Sequence, residues 1–225
     1  MTVYPLIPLS RLLTYIEEDA PFGDITSQAI ITRQTCMAGI IAREELILAG
    51  LEEAAALFSH FGVDVHPQSR DGERVRAGTT VLSLSGSAHA ILLVERTALN
   101  LMGRMSGIAT RAREMQDIVS SISPSCRVAA TRKTAPGLRL ADKKAAMIGG
   151  ADPHRFSLSD AILIKDTHRS LVPLGEAVRR AREADVSHLI EAEAESAEEA
   201  LEAARAGADI ILLDNMTPGA IRESI

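Results

Sequence analysis

From residue 127 to the end of the chain, a short apolar run followed by a helical stretch recurs, and this rhythm limits the fold more than any other feature. The apolar runs cover residues 127–131, 161–164, 189–194 and 209–213. The helical stretches cover 138–148, closed by Gly149-Gly150, then 174–184, and a third that ends at Gly207. Residues 189–194 are rich in Ala and Glu, which favour helix on propensity. The segment Ser196-Ala197-Glu198-Glu199 decides for a strand, because Ser followed three residues later by Glu is a capping box that starts a new helix at Ser196. Strands alternating with helices at this spacing predict a parallel sheet or a (β/α) barrel. Four units are too few to close a barrel, which takes about 250 residues. Thr217-Pro218 reads as the N-cap and first position of a further helix, yet only seven residues follow it. The pattern therefore predicts an incomplete barrel that lacks its C-terminal end.

Upstream, the rhythm differs. A helix over residues 10–19 stops before Pro21, and Ala20-Pro21-Phe22-Gly23-Asp24 reads as a turn followed by Thr26 and Ser27. A strand over 37–43 leads into a helix over 51–61, closed by Gly62. The turns Asp71-Gly72 and Ala77-Gly78 then flank short strands such as 81–84, an α+β pattern with antiparallel strands joined by tight turns. Between 91 and 121, Leu92, Leu99, Met102, Met105, Ile108, Met115 and Ile118 recur as a helical stripe. Gly103 and Gly107 lie one turn apart and predict a close backbone approach or an interrupted helix, since glycine costs about 1 kcal/mol there relative to alanine. This places a boundary between an N-terminal α/β sandwich domain, 1–103, and a partial (β/α) barrel, 104–225.

Composition removes several classes of function. A net charge of −6 gives no overall attraction to nucleic acid or anionic membrane, although a local basic pocket remains compatible with it. Cys36 and Cys126 cannot staple a fold, form no CxxC or Cys/His cluster, and read as small buried apolar residues. The first ten residues lack the basic and apolar regions of a signal peptide, and no apolar run reaches the ~20 residues that span a bilayer. The chain reads as cytoplasmic. Trp is absent and aromatics are scarce, so cores must be built from Leu, Ile, Val and Ala, which suits parallel strands covered by helices.

Reacting groups in (β/α) barrels lie at the C-terminal ends of the strands. Here the predicted strands end in Thr131-Arg132-Lys133-Thr134, Lys165-Asp166-Thr167-His168 and Asp214-Asn215, while the third carries Glu191, Glu193 and Glu195. One charged strand end marks only solvent; four in a row point to a site. The three glutamates share a face opposite Ile190 and predict an inward polar row. Such a row is costly unless it meets a cation, a metal or hydroxyls. Arg132, Lys133, Arg155 and Lys165 suit several carboxylates or phosphates. Glu193 and Asp214 would repel those groups. Sugar hydroxyls, a Mg²⁺ carried by pyrophosphate, or a developing positive charge would satisfy them. A polyanionic ligand that turns cationic at one carbon fits phosphoribosyl transfer.

With these residues in view, the chain resembles the quinolinate phosphoribosyltransferase family. The resemblance rests on Glu18-Asp19 with Gly23-Asp24-Ile25-Thr26, Glu95-Arg96-Thr97 through Leu101, and Ser106-Gly107-Ile108-Ala109-Thr110. It continues in Thr131-Arg132-Lys133-Thr134 with Pro136-Gly137-Leu138-Arg139, Gly149-Gly150 with His154-Arg155, Ile164-Lys165-Asp166 with His168, Glu191 and Glu193, and Leu213-Asp214-Asn215. It implies an N-terminal α/β sandwich before an incomplete barrel. The implied reaction joins quinolinate to phosphoribosyl pyrophosphate with loss of CO₂ and uses Mg²⁺. By resemblance, Arg132, His154, Arg155 and Lys165 hold the two carboxylates, with Thr131 beside them, and Arg96 completes the pocket from the other subunit of a homodimer. Lys133 would meet the phosphoribosyl substrate, and Glu193 and Asp214 the ribose and its Mg²⁺; Lys133, Lys165, Glu193 and Asp214 form the implied catalytic set.

The family pattern usually has a third glycine where Ala151 stands and often Asn where Thr167 stands. Without the glycine-rich turns that cradle the ribose phosphate, the segment alone is expected to bind phosphoribosyl pyrophosphate poorly. Three rivals stand beside this reading. One is a molybdenum-transport-associated paralogue, which typically loses the lysine retained here as Lys165. Another is a nicotinate-specific phosphoribosyltransferase, needing fewer cations. The third is a non-catalytic dimerisation remnant.

Overall fold

A computed structural model describes residues 4–225. The chain divides into two compact units, one ending at His154 and the other running from Arg155 to Ile225.

The first unit holds helices α1 (Leu9–Asp19), α2 (Ile25–Ile30), α3 (Leu51–His60), α4 (Ala88–Ile122) and α5 (Arg139–Ile148). Its strands are β1 (Thr35–Ile41), β2 (Leu46–Ile47), β3 (Asp64–Pro67), β4 (Arg74–Val75) and β5 (Thr80–Ser87). β5 is central in an antiparallel sheet of order β1-β5-β3, and β2 pairs with β4. One core joins Leu12 and Ile16 of α1, Leu57 and Phe58 of α3, and Val81 and Leu82 of β5 to α4 and α5.

α4 is unbroken through Gly103. Its buried stripe runs through Ile91, Val94, Ala98, Leu101, Met102, Met105, Ala109 and Ala112, whereas Leu92, Met115 and Ile118 of the expected stripe are exposed. The buried face mixes large apolar residues with Ala98, Ser106, Ala109 and Ala112, so hydrophobicity alone does not separate it from the face carrying Leu92, Met115 and Ile118. A Cβ built at Gly103 or Gly107 would meet open space. The close approach lies instead at Gly149, where a Cβ would sit 2.4 Å from the Ala109 carbonyl oxygen and 2.6 Å from the Ala112 Cβ. Gly150 next to it has φ +101°, which favours glycine for a different reason. The turn expected over 20–24 is followed by a short helix, α2, that the sequence reading does not include; Asp24 caps it by accepting from the amides of Thr26 and Ser27. Cys36 and Cys126 are exposed free thiols, not core residues, because one lies on the edge strand β1 and the other in the turn after α4.

The second unit contains β6 (Ile162–Ile164), β7 (Ile190–Ala194) and β8 (Ile210–Leu213), with helices α6 (Asp166–Arg169), α7 (Leu174–Ala184), α8 (Ala197–Ala206) and α9 (Pro218–Glu223). The sheet is parallel in the order β6-β7-β8, an arc of a (β/α) barrel rather than a closed one. Ile164, Ile190 and Ala192 meet Leu174 and Val178 of α7 and Ala203 of α8 in its core. Ser196 Oγ accepts from the Glu199 amide as the capping pattern requires, while the Glu199 carboxylate takes the amide of Glu195 rather than that of Ser196. Thr217 caps α9 with Pro218 in its first turn. The remaining expected strand, 127–131, is reduced to a single parallel bridge between Ala129 and Asp152. It lies in the first unit and has no neighbouring strand long enough to extend it. Among the described residues, no helix is long and apolar enough to cross a membrane.

Candidate active site

In the second unit the sheet itself brings three of the expected residues together. β7 is flanked on both sides, so Ile190 and Ala192 enter the apolar core while Glu191 and Glu193 occupy the opposite face at 5% and 7% exposure. Glu193 is held at both oxygens. Lys165 Nζ lies 3.3 Å from Oε1, and the Asp166 amide donates to Oε2 at 3.3 Å. The Lys165 amide donates to His168 Nδ1 at 2.9 Å, closing the turn that starts α6. Asp214 follows β8, its amide bonded to the Ala194 carbonyl at 2.9 Å, which sets it at the same strand-end level as Glu193. Lys165, Glu193 and Asp214 thus share the C-terminal edge of one parallel sheet. Glu195, expected in the inward row, is exposed and faces Arg169 at 3.8 Å.

Arg169 is the residue that sequence reasoning missed here. Its guanidinium donates to the Glu193 carbonyl at 3.0 Å and grips Glu199 with two nitrogens, at 2.9 and 2.8 Å. The main chain of Glu193 is fixed from behind by a bidentate, charge-assisted pair. Four residues after Lys165 on a short helix, an arginine gives no periodic signal that it turns back onto a strand. Arg155, 9% exposed, donates to the Ala161 carbonyl at 3.2 Å just ahead of β6.

The other expected residues belong to the first unit. Arg96 is solvent-exposed on α4. Thr131-Arg132-Lys133-Thr134 follows the Ala129 bridge as a loop, in which Thr131 Oγ1 accepts from the Lys133 amide at 3.2 Å. Lys133 is exposed, whereas Arg132 is half-buried, and its Nε is fully covered with no acceptor among the described residues. Asp142 of α5 closes the loop. It takes Arg104 bidentately at 2.7 and 2.8 Å and the Ala135 amide at 3.2 Å, and the same bond raises the pKa of Arg104. A pocket of about 470 Å³ opens beside the Pro136-Gly137-Leu138 turn, lined by Tyr15, Glu18, Asp19, Asn100 and Arg104. The Tyr15 hydroxyl donates to the Gly137 carbonyl at 3.1 Å.

His154 sits at φ +50° and Asn215 at φ +53°, the two non-glycine residues in the left-handed region among those described. Each adjoins expected site residues, and strain of this kind is kept where the surroundings over-determine a functional loop.

Family models of the quinolinate phosphoribosyl transferase N-terminal domain and C-terminal domain match residues 24–106 and 108–225. The chain belongs to the quinolinate phosphoribosyl transferase family. A probable nicotinate-nucleotide pyrophosphorylase [carboxylating] of Methanothermobacter thermautotrophicus is 46% identical over 213 residues, covering 93% of this chain and 76% of that protein. The Homo sapiens nicotinate-nucleotide pyrophosphorylase [carboxylating] is 36% identical over 219 residues, covering 95% of this chain and 73% of its own. The crystal structure of NadC from Streptococcus pyogenes superposes with a TM-score of 0.91 at 36% identity, covering 99% of this chain and 81% of the other. Membership of this quinolinate phosphoribosyl transferase family rests on both units, because the second family model begins within α4 and runs through β8.

Proposed function

We infer that the chain is a pentosyltransferase of the carboxylating nicotinate-nucleotide pyrophosphorylase type. It transfers the phosphoribosyl group of phosphoribosyl pyrophosphate to quinolinate and releases CO₂ and pyrophosphate, giving nicotinate mononucleotide for de novo NAD synthesis. The observation that carries this reading is the C-terminal edge of the parallel sheet, where Lys165, Glu193 and Asp214 meet. A cation and two carboxylates at one strand-end level suit a ligand that joins anionic groups to a carbon that becomes positive, and the half-buried Arg132 offers a fork whose geometry matches a carboxylate. The relatives named above carry the same activity in their names.

In this reading Arg132, Thr131, His154, Arg155 and Lys165 receive the two quinolinate carboxylates, and Lys133 meets the phosphoribosyl substrate. The pyridine nitrogen attacks the anomeric carbon as pyrophosphate departs. Glu193 and Asp214 stabilise the positive charge that develops there, a preorganised electrostatic role. Loss of the C2 carboxylate as CO₂ leaves its electron pair on C2, which takes a proton. The positive charge left on the ring nitrogen by the attack stabilises that pair, and exclusion of water from the carboxylate favours its departure. A Mg²⁺ would arrive with the substrate and be held mainly by its oxygens; Asp214, whose carboxylate accepts a 3.3 Å contact from Asn215, could add one ligand.

The homodimer follows from the family resemblance, and Arg96, exposed on α4, would then reach the partner's site. Two exposed free thiols suit a reducing, cytoplasmic location.

The test follows label from the C2 carboxylate of quinolinate in the presence of the protein, phosphoribosyl pyrophosphate and Mg²⁺. Labelled CO₂ should form in step with nicotinate mononucleotide, and Lys165→Ala should abolish it. Nicotinate turned over in place of quinolinate would refute the reading. Mixing Arg96→Ala with Lys165→Ala subunits should restore about a quarter of wild-type activity, because half the dimers then hold one intact site. No recovery would exclude the shared site.

A further inference from the structure

We propose that Lys143 is a positioning residue that sets the spacing between the two carboxylate-binding loops of the first unit. The proposal rests on the functional reading above for the roles of those loops. Lys143 lies in the middle of α5 with 1% of its surface exposed. An ammonium placed there incurs a large desolvation cost, and a lysine in such a position needs specific acceptors. Nζ donates to the Ala130 carbonyl at 2.8 Å and also to the Pro153 carbonyl. Ala130 immediately precedes Thr131-Arg132, and Pro153 immediately precedes His154.

The main chain alone provides little to hold these segments together. They share one isolated bridge, in which the Asp152 amide donates to Val128 at 2.7 Å and the Ala130 amide to Asp152 at 2.8 Å. Beyond that bridge both segments leave the ladder, and His154 turns into the left-handed region. The Lys143 ammonium takes over where the ladder stops, as a charged tie between two carbonyls. Asp142, its neighbour, holds the far end of the same loop through the Ala135 amide. Consecutive residues of one helix therefore grip the segment 130–135, the base at its entering carbonyl and the acid at its leaving amide. The grip of Lys143 falls on the Arg132 and His154 side, while that of Asp142 falls beyond Lys133.

This asymmetry makes the role separable from general stability. Lys143→Met keeps the length and apolar stem but removes the donors. It should raise the KM for quinolinate about tenfold or more and lower kcat/KM by about 10², while the KM for phosphoribosyl pyrophosphate changes by less than about twofold. Equal changes in both KM values, or none, would overturn the proposal. Amide exchange gives a second readout independent of catalysis: Ala130 and Asp152 should lose protection in Lys143→Met more than β5 does. Unchanged exchange there overturns the clamp even if the enzyme assay succeeds. If the wild type releases no CO₂ while exchange responds, the functional reading fails and the tie stands. Should Lys143→Met not fold, Lys143→Ala with added propylammonium replaces it. The quinolinate KM should then fall as the amine is raised, and no dependence on the amine counts against Lys143.

Discussion

The two units hold their candidate site residues by different means. In the second, Lys165, Glu193 and Asp214 stand at the ends of hydrogen-bonded parallel strands, so the ladder between β6, β7 and β8 carries most of their main chain, with Arg169 adding one bond to the Glu193 carbonyl. In the first, Thr131 to Thr134 follows a single bridge, and side chains of α5 and α4 supply what the ladder does not. A strand-end site should tolerate changes in the helices behind it, the Arg169–Glu199 pair excepted. A loop held by side chains should pass such changes on to its cations.

The largest effect is expected where the first unit is most tightly packed. Gly149→Ala would drive a Cβ into the Ala109 carbonyl and the Ala112 side chain of α4. Backbone on one side and a short side chain on the other leave little room to yield. The same turn is fastened by Arg113, which donates to the Gly149 and Ile148 carbonyls at 2.9 and 3.3 Å. A loss of more than about 3 kcal/mol is expected in urea unfolding, beyond the usual range for overpacking. Wild-type stability for this variant would show that α5 is not locked against α4, and the contrast between the units would weaken. Next comes Glu193→Gln in the second unit. Its shape and the Asp166 amide bond survive, but the charge facing Lys165 is lost. We expect kcat to fall by about 10² with stability nearly unchanged, as for removal of one preorganised electrostatic group. An equal loss of stability would show that the ladder alone does not hold β7.

The same contrast explains what the sequence made legible. Glu191 and Glu193 could be placed on one face because strand alternation is a strict period of two, and the structure buries both opposite Ile190. Asp214 and Lys165 could be placed because strands end in recognisable apolar runs. Lys143, Asp142 and Arg169 could not. Each is a charged residue in a helix, where charge ordinarily marks solvent, and each turns inward because a distant carbonyl or amide lacks a partner. The apolar stripe of α4 is only partly legible for a related reason, since apolar residues stand on both faces and α3 and α5 cover just one of them. Single-bridge pairing at Ala129 also left no signal, because four or five apolar residues read alike whether they join a sheet or only touch one residue.

Asp142→Asn sharpens the comparison with a smaller effect. The Ala135 amide keeps an acceptor, but the bidentate charge pair with Arg104 is lost. Arg104 is partly solvated, so the stability cost should be about 1–2 kcal/mol rather than that of a fully buried pair. The KM for phosphoribosyl pyrophosphate should rise more than that for quinolinate, the reverse of Lys143→Met. A matching pattern in the two variants would mean that the loop moves as one piece.

The smallest effect is in pH dependence, where the two units should differ in sign. Asp71 of the first unit is pushed up to about 6, mainly by burial, with the Glu53 carboxylate adding to it and the Leu51 amide and Lys144 opposing. Its Oδ2 and the Oε2 of Glu53 are both covered without a hydrogen-bond partner among the described residues. A carboxyl group whose folded pKa lies above its ordinary value of 3.8 binds protons more readily in the folded state. Ionising it therefore costs stability, a cost absent below about pH 4 and complete above about pH 6. Asp71→Asn keeps an acceptor for the Leu51 amide and removes that cost. The variant should be more stable than wild type by on the order of 1 kcal/mol near pH 7, with the gap closing on acidification to about pH 4. In the second unit Asp209 is shifted the other way, held low first by the Ile190 amide and then by Arg182. Its contribution is present above its ordinary pKa and lost as the pH falls through the lowered one, so Asp209→Asn should destabilise near neutrality and converge with wild type in acid. Urea unfolding of the two variants across this range gives opposite slopes if burial governs the first unit and hydrogen bonding the second. Parallel slopes would place Asp71 in the same solvated regime as Asp209.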